Sequence, residues 1–553
     1  MDNSYLKEFE ADVEKWRHTW ESRLDPEGPI HYEYPPYPPK WWFNKWAEET
    51  PDKPYILMGD IVLPYGVCND MSRRIANALL DLGVKKGDRV AIMAPNVPQY
   101  VLALQALFKT GMIEVPTNPL YTIPELAHQF ADSGTETVIV MAMFASKAIE
   151  LLKDPKSPVK RVIYFQVPSG PVEVESGEGI YDLNELLANA SNAEPDIEVT
   201  GDDIARLQYT GGTTGVPKGC VLTHAMIMSQ AIRTSTISAR GFTAVSKEDY
   251  RTLGAIPLNH VYGFNFIVSV NLYTGGNMVL VAVPNADNLL EAIQKNKPTI
   301  FAAVPAMIIG LINHPDIANA DISSLKGMFC GSAPLAVETL KEFERLTGGH
   351  IIEGYGLSET LNIITANAFN TRKYGSCGLV WPDTDLVIVD VDTGTQVMPR
   401  GELGEIVTRG PQVITEYWQN PEETAAAIRG GWLYTGDIGY IDEEGFVFIV
   451  DRKKDIIISS GFNVYPRDVE EVLFAHPKIV EACVIGVPDP KRGEAVKAFI
   501  SLKEGETMTA EEVIAYCRES LAPYKVPSLV EFMDALPRTT VGKADKKALQ
   551  ARG

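Results

Sequence analysis

The run Tyr209-Thr-Gly-Gly-Thr-Thr-Gly-Val-Pro-Lys-Gly219 places four glycines, three threonines and one lysine in eleven residues. Glycine lets backbone N–H groups approach a polyphosphate, threonine hydroxyls add donors, and Lys218 adds positive charge. The chemistry is that of a phosphate cradle. In a Walker A loop, Gly directly precedes the lysine and Ser or Thr follows it, whereas Lys218 stands between Pro217 and Gly219. P-loop kinases and ATPases are therefore excluded.

The elements around this loop follow a β-α-β rhythm. Residues 89–95, 112–116, 137–141 and 161–166 read as strands, and residues 99–110 as a helix. The rhythm resumes with strands at 252–256, 278–281, 299–304, 328–331 and 351–354, and residues 335–347 form the clearest intervening helix. Such alternation predicts an α/β fold with two parallel-type sheets and flanking helices. Beyond Trp381 the texture changes to short strands and glycine turns, at 386–390, 405–408 and 445–450, which predicts a β-rich subdomain. A charged junction, Asp451-Arg-Lys-Lys-Asp455, then precedes a small α+β domain.

At the other end, Leu6, Phe9, Val13, Trp16 and Trp20 recur at spacings of three and four, one face of an amphipathic helix. Six prolines among tyrosines follow, ending in Trp41 and Trp42, and this segment should run extended. The helix carries mixed rather than basic charge, so docking on its own domain is favoured over a membrane or partner.

The chain has 553 residues, which at roughly 100 to 200 per domain calls for more than one core. Fifty basic and 72 acidic side chains give a net charge of −22, a field that repels nucleic acid and anionic lipid. Six cysteines lack any C-x-x-C pair, so neither a disulfide framework nor a zinc site is suggested, and a reducing cytoplasm fits best. The first residues lack the order of a secretory signal, and no apolar stretch approaches the roughly 18 residues of a membrane span.

Motif order adds a resemblance. The run at 210–219 is followed by Pro257-Leu-Asn-His-Val-Tyr-Gly263, Gly331-Ser-Ala-Pro-Leu335, Tyr355-Gly-Leu-Ser-Glu-Thr360, Tyr434-Thr-Gly-Asp437, Asp451-Arg-Lys-Lys-Asp455, Gly461-Phe-Asn-Val-Tyr-Pro466 and Pro537-Arg-Thr-Thr-Val-Gly-Lys543. This series resembles the adenylate-forming superfamily of acyl-CoA synthetases, nonribosomal peptide adenylation domains and beetle luciferases. The motif set is most similar to that of the AMP-forming acyl-CoA synthetases.

The resemblance covers the chain from about Asp52 onward, so the helix and strap at 1–50 lie outside it; it implies a large domain at 51–451, a hinge at 452–454 centred on Lys454, and a small mobile domain at 455–553. It implies that Thr210, Gly211, Gly212, Thr213, Thr214, Gly215 and Lys218 hold ATP phosphates, with Thr214 acting in catalysis, and that Glu359 binds Mg2+ and is catalytic. Tyr355 would stack on adenine beside Gly331, Ser332 and Ala333, with Glu353, Gly354, Gly356 and Ser358 completing the nucleotide site. Asp437 and Arg452 would take the ribose hydroxyls, and Gly461 would line the CoA pantetheine tunnel. Lys543 would be the catalytic lysine that offsets charge on the substrate carboxylate and the α-phosphate.

The implied reaction converts a carboxylic acid and ATP to an acyl-adenylate and pyrophosphate, then to an acyl-CoA and AMP. Residues 257–273 contain no Asp or Glu, whereas amino-acid-activating members of the family it resembles usually place an aspartate in this region to pair with the α-ammonium group, so the resemblance disfavours an amino-acid substrate. Tyr262, Phe264, Phe266 and Ile363 would instead offer an apolar wall with Asn362 as polar contact, suited to an aliphatic, alicyclic or aromatic acid, and the resemblance aligns His260 with the aromatic position that separates the carboxylate pocket from the CoA channel. Delivery to a carrier protein, a luciferase-like oxygenase and a non-catalytic nucleotide sensor are the alternatives. The resemblance admits a homodimer.

Overall fold

The computed structural model describes residues 4–24, 31–167, 170–210, 217–237, 245, 249–332, 335–368, 371–459, 462–489, 492–539 and 544–552. Two large sheets form the body. The seven-stranded sheet runs in the order Ile180–Asp182, Arg161–Phe165, Thr137–Met141, Arg89–Met93, Ile113–Thr117, Ile204–Tyr209, Gly219–Thr223. All its pairings are parallel except the last, where Ile204–Tyr209 and Gly219–Thr223 run antiparallel. Helices cover both faces, which is why Val90 to Met93 are all buried and read as continuous apolar sequence.

The nine-stranded sheet has a parallel centre, with Arg251–Gly254, Asn277–Leu280, Ile300–Ala303, Gly327–Cys330 and the start of His350–Leu357 side by side. Pro54–Met58 joins it beside Asn277–Leu280, more than 200 residues away in sequence, and Ile61–Pro64 closes that edge as a hairpin. An antiparallel five-stranded sheet follows, from Asp385–Val389 to Val447–Arg452. The last five-stranded sheet, Ile457–Ser459 to Leu529–Phe532, packs the helices Pro466–Phe474 and Ala510–Ser520 over an apolar core around Val469, Val484 and Val513, and a second cluster gathers Phe499, Ile485, Leu536 and Leu549. The fold is thus a large α/β domain with a β-rich part and a smaller α+β C-terminal domain. Among the described residues, no helix is long and apolar enough to cross a membrane.

The N-terminal helix Leu6–Leu24 buries Phe9 and Val13 against Val387, Val407 and Trp432 of the antiparallel sheet. Trp20 Nε1 donates to Gly445 O at 3.0 Å, and Arg17 pairs with Asp385 at 2.8 Å. Its apolar face is therefore covered by its own chain. The following segment is pinned where His31 Nδ1, Tyr32 N and Tyr34 Oη converge on Asp383 at 2.6, 3.0 and 2.5 Å. The extended run ends sooner than its composition suggested. Pro39–Glu49 is a helix containing Trp41 and Trp42, because Pro39 at its first turn has the φ and the missing N–H that a helix start accepts. Burial of Phe43 against Tyr55 and Tyr65 anchors it.

His224, first residue of the helix His224–Ile237, is fully buried, its ring 5.6 Å from Phe108 and both ring nitrogens without a hydrogen-bond partner. Burial opposes the imidazolium and lowers its pKa from 6.5 to about 3. The unfolded chain therefore takes up a proton below pH 6.5 that the folded chain refuses until about pH 3. Stability from this group is complete above pH 6.5 and falls on acidification, with a slope approaching ~1.4 kcal/mol per pH unit. Comparing urea midpoints at pH 7 and pH 5, the wild type should lose more stability than His224→Leu; equal losses would show that the ring does not titrate as described.

Candidate active site

The glycine- and threonine-rich run connects two antiparallel strands, Ile204–Tyr209 and Gly219–Thr223. Tyr209 pairs with Gly219 across antiparallel strands, and Thr210 N donates to Lys218 O at 3.0 Å. Tyr209 Oη donates to Asp132 at 2.6 Å, fixing the root of the loop. Lys218 pairs with Glu423 on the helix Pro421–Ala427 and lies 5.3 Å from the ring centroid of Tyr417. Gly211, Gly212, Thr213, Thr214 and Gly215 lie outside the described residues, as do Ala333, Gly461 and Lys543.

Glu359 occupies the short turn Ser358–Thr360 that ends the strand His350–Leu357. Tyr417 Oη donates to Glu359 Oε1 at 2.9 Å. Burial, and then the Glu359 charge, push the Tyr417 phenol well above its usual range, so it remains a donor. Tyr417 also bridges to Cys220, and Trp418 N donates to Gly219 O at 2.8 Å. The segment carrying Tyr417 therefore ties Glu359 to the base of the glycine-rich hairpin. Nothing in the sequence around Tyr417 marked it.

Asp437 and Arg452 face each other in register on neighbouring strands, with Arg452 Nε and Asp437 Oδ1 2.8 Å apart. Tyr355 Oη donates to Asp437 Oδ2 at 2.5 Å. The Asp437 charge holds the guanidinium of Arg452 above its ordinary pKa, and burial raises the Tyr355 phenol. Glu353 Oε1 accepts from Leu335 N at 3.1 Å, and burial raises its carboxyl above the usual carboxylate range. Ser332 has φ +70°, turning the backbone beside Gly331. At Gly356 a Cβ would lie 1.4 Å from Asn362 O, so only glycine allows this approach.

These groups open on one cavity of about 2910 Å³. Thr210, Lys218, Gly331, Ser332, Glu353, Gly354, Tyr355, Gly356, Ser358, Glu359, Asp437 and Arg452 all line it. So do His260, Tyr262, Phe266, Asn362 and Ile363. Tyr262 Oη donates to Phe329 O at 2.9 Å and its ring meets Phe266 edge-on at 5.3 Å. His260 Nδ1 accepts from Tyr262 N at 3.2 Å. Asn362, with φ +96°, aims a buried Nδ2 that has no hydrogen-bond partner. Phe264 does not join this wall: it is fully buried beneath the Arg206 guanidinium at 4.2 Å, because a buried cation recruits an aromatic face.

Lys454 lies in the turn Lys453–Asp455 and lines the same cavity, its ammonium pKa lowered by burial. The C-terminal domain contributes Arg538, Thr539, Ala544 and Lys546 to the lining. Lys546 lies 3.2 Å from Asp455 and 3.8 Å from Asp451. Burial works against its charge, but Glu470, Asp451 and Asp455 outweigh it and hold the ammonium above its ordinary pKa.

A cleft at strand ends that joins a glycine-rich hairpin, a buried carboxylate paired with a half-exposed arginine and an apolar wall defines a class of nucleotide-using enzymes that handle an apolar partner. Comparison with known proteins identifies the class. Residues 43–418 match the family described as AMP-binding enzyme, and residues 468–543 match the AMP-binding enzyme C-terminal domain. The chain belongs to the AMP-binding enzyme family, the adenylate-forming superfamily. It is 41% identical over 523 residues to a long-chain-fatty-acid–CoA ligase of Bacillus subtilis (strain 168), covering 91% of this chain and 92% of the relative. A crystal structure of the anthranilate CoA ligase AuaEII with anthranoyl-AMP superposes with a TM-score of 0.84 at 26% identity, over 95% of this chain and 98% of that one. O-succinylbenzoate CoA synthetase of Bacillus subtilis, with ATP and magnesium, superposes with a TM-score of 0.79 at 30% identity, over 93% of this chain and 100% of that one.

Proposed function

We propose that this protein is an AMP-forming acyl-CoA synthetase for a long-chain aliphatic acid. The single observation that carries the acid class is the run of apolar lining beyond His260. It follows the carboxyl ends of the parallel strands through Val304, Ala255, Val281 and Met58 to Ile61, the residue opposite Met58 in the antiparallel edge hairpin, and Val97, Leu102 and Met71 line the same cavity. Four strand spacings of about 4.8 Å amount to roughly 19 Å. At about 3.5 Å per three bonds of extended chain, that accommodates on the order of sixteen bonds. The name of the Bacillus subtilis relative points to the same acid class.

In the first half-reaction a carboxylate oxygen attacks the α-phosphorus of ATP, the bond to the β-phosphate oxygen breaks, and pyrophosphate leaves. Asp437 and Arg452 hold the ribose, the hairpin loop holds the phosphates, and Lys543 offsets charge at the α-phosphate. In the second, the CoA sulfur attacks the acyl carbon, the thiol proton is released and AMP leaves with its oxygen. Rotation at Lys454 exchanges Lys543 for the surface around Gly461 between the two steps. We assign Mg2+ to Glu359. The Tyr417 bond engages only Oε1, and a cation that takes most of its ligands from phosphate and water needs a single such carboxylate. When bound, the ion neutralises charge on the phosphate oxygens. Six cysteines without a disulfide fit a cytoplasmic location.

A panel of straight-chain, aromatic and amino acids, scored by CoA-dependent AMP release, tests the reading. The kcat/KM should rise by up to about fourfold per added methylene, from roughly 0.8 kcal/mol of burial each, until the apolar run is filled. Preference for an aromatic or amino acid would overturn the acid class, and turnover indifferent to free CoA would favour a carrier protein.

A further inference from the structure

Side chains of the seven-stranded sheet hold one backbone segment of the nine-stranded sheet. Residues 254–259 lead from the strand Arg251–Gly254 to His260 and Tyr262. Asn96 Nδ2 donates to Gly254 O and Ile256 O, both at 2.9 Å, while Asn96 Oδ1 accepts from Leu258 N at 2.9 Å. Arg206 Nη2 donates to Leu258 O at 3.1 Å, and Gln208 Nε2 donates to Asn259 O at 3.1 Å.

Arg206 is itself fixed on every side. Its Nη1 lies 2.6 Å from Glu114 Oε2, and its Nε and Nη2 donate to Gln208 Oε1 at 2.9 and 2.7 Å. Tyr100 Oη donates to the other Glu114 oxygen at 2.7 Å. Both partners of the ion pair have fully buried side chains. Desolvating two charges costs as much as their attraction returns, and an apolar pair of similar volume would be about as stable. Stability therefore does not account for the pair. Geometry does: the planar guanidinium fork holds several acceptors in fixed, separated directions, whereas a lysine ammonium donates from a single point and an apolar side chain not at all.

Arg206 and Gln208 lie on the strand Ile204–Tyr209, which runs directly into Thr210 and the phosphate loop. The same rigid strand thus carries the root of the phosphate loop and grips the segment that leads to the acid wall. We infer that Arg206, oriented by Glu114 and acting with Gln208, is a positioning residue for the adenylation step. It sets the acid-side segment at a fixed distance from the nucleotide loop, so that the carboxylate meets the α-phosphorus. This inference rests on the proposed acyl-CoA synthetase reading. Attack requires the reacting atoms about 3 to 3.5 Å apart, and a displacement near 1 Å costs up to about 10²-fold.

The test is the charge-free double variant Arg206→Met/Glu114→Leu, with Arg206→Lys and Gln208→Met as milder changes. The wild type must first release AMP in a reaction dependent on acid and CoA; failure there sinks the functional reading, not the positioning role. The double variant removes the ion pair but leaves Tyr100 Oη, Gln208 Oε1 and Leu258 O without these partners, so it is expected to melt below the wild type yet remain folded. Its KM for the acid should rise about tenfold or more and acid-dependent pyrophosphate exchange should slow, with KM for ATP within about twofold. Arg206→Lys, which keeps the charge but loses the fork, should not rescue the acid KM. A folded double variant with unchanged acid KM overturns the proposal. If the double variant does not fold, Gln208→Met decides: it removes the contact to Asn259 O and should raise the acid KM alone, and an unchanged value overturns the proposal equally.

Discussion

Lys543→Ala is expected to slow acid-dependent exchange of pyrophosphate into ATP by roughly 10²- to 10³-fold, while thioester formation from supplied acyl-adenylate and CoA stays near the wild-type rate. In the first step, a carboxylate approaches a triphosphate and negative charge crowds around the α-phosphorus. One fixed cation there supplies what an oxyanion donor supplies elsewhere, roughly 3 to 4 kcal/mol. In the second step, a thiol attacks an acyl carbon and the α-phosphate departs as part of AMP, so the same ammonium has less to offset. The described residues on either side of Lys543 line the cavity. Arg538 bridges to Ala544, Asp545 N donates to Pro537 O at 2.8 Å, and Arg538, Thr539 and Ala544 line the cavity. Lys547, exposed on the following helix Lys546–Gln550, serves as control, and Lys547→Ala should leave both steps intact. Equal loss of both half-reactions in Lys543→Ala would sink the alternation of poses.

Asp437→Ala is expected to raise KM for ATP by about 10²-fold or more: in the proposed role Asp437 accepts from two ribose hydroxyls, and at roughly 1.5 to 3 kcal/mol per charged hydrogen bond the lower figure for both is ~3 kcal/mol. The substitution also releases Arg452 and the Tyr355 hydroxyl, which Asp437 holds from opposite sides at 2.8 and 2.5 Å. The Arg452 side chain is 43% exposed, so water takes over its solvation and the fold should survive. Asp437→Asn should fall between, since its amide accepts through one oxygen and presents N–H groups where the carboxylate accepted. Unchanged KM for ATP in a folded Asp437→Ala variant would remove Asp437 from the nucleotide site.

Much of the body was legible because parallel strands buried on both faces are written as short continuous apolar runs. Residues 89–95 and 137–141 carry that signal, and strands stand at Arg89–Met93 and Thr137–Met141. The strap was less legible. Proline content argued for extended chain through Trp42, but a proline at the first helical turn starts a helix as readily as it ends one. The antiparallel return of the glycine-rich hairpin was also hidden, since the strand Gly219–Thr223 looks locally like any buried run.

The candidate site divides in the same way. Glu359, Asp437 and Arg452 stood out through motif order, whereas Tyr417, Asn96, Arg206 and Gln208 had no local pattern to mark them. Their roles exist only through partners far along the chain: Tyr417 on Glu359, Arg206 on Glu114 and Leu258. The sequence by itself determined the local elements, the glycine- and threonine-rich composition of residues 209–219, the order of the motifs and the lack of a carboxylate in residues 257–273, because these follow from neighbours within a few residues. Only the tertiary structure decided that Pro54–Met58 borders the strand Asn277–Leu280 and that a buried ion pair of one sheet grips the acid-side segment of the other. Such pairings are chosen by the packing of whole sheets, in which loop closure costs only about (3/2)RT ln n, so separation along the chain neither forbids nor announces them.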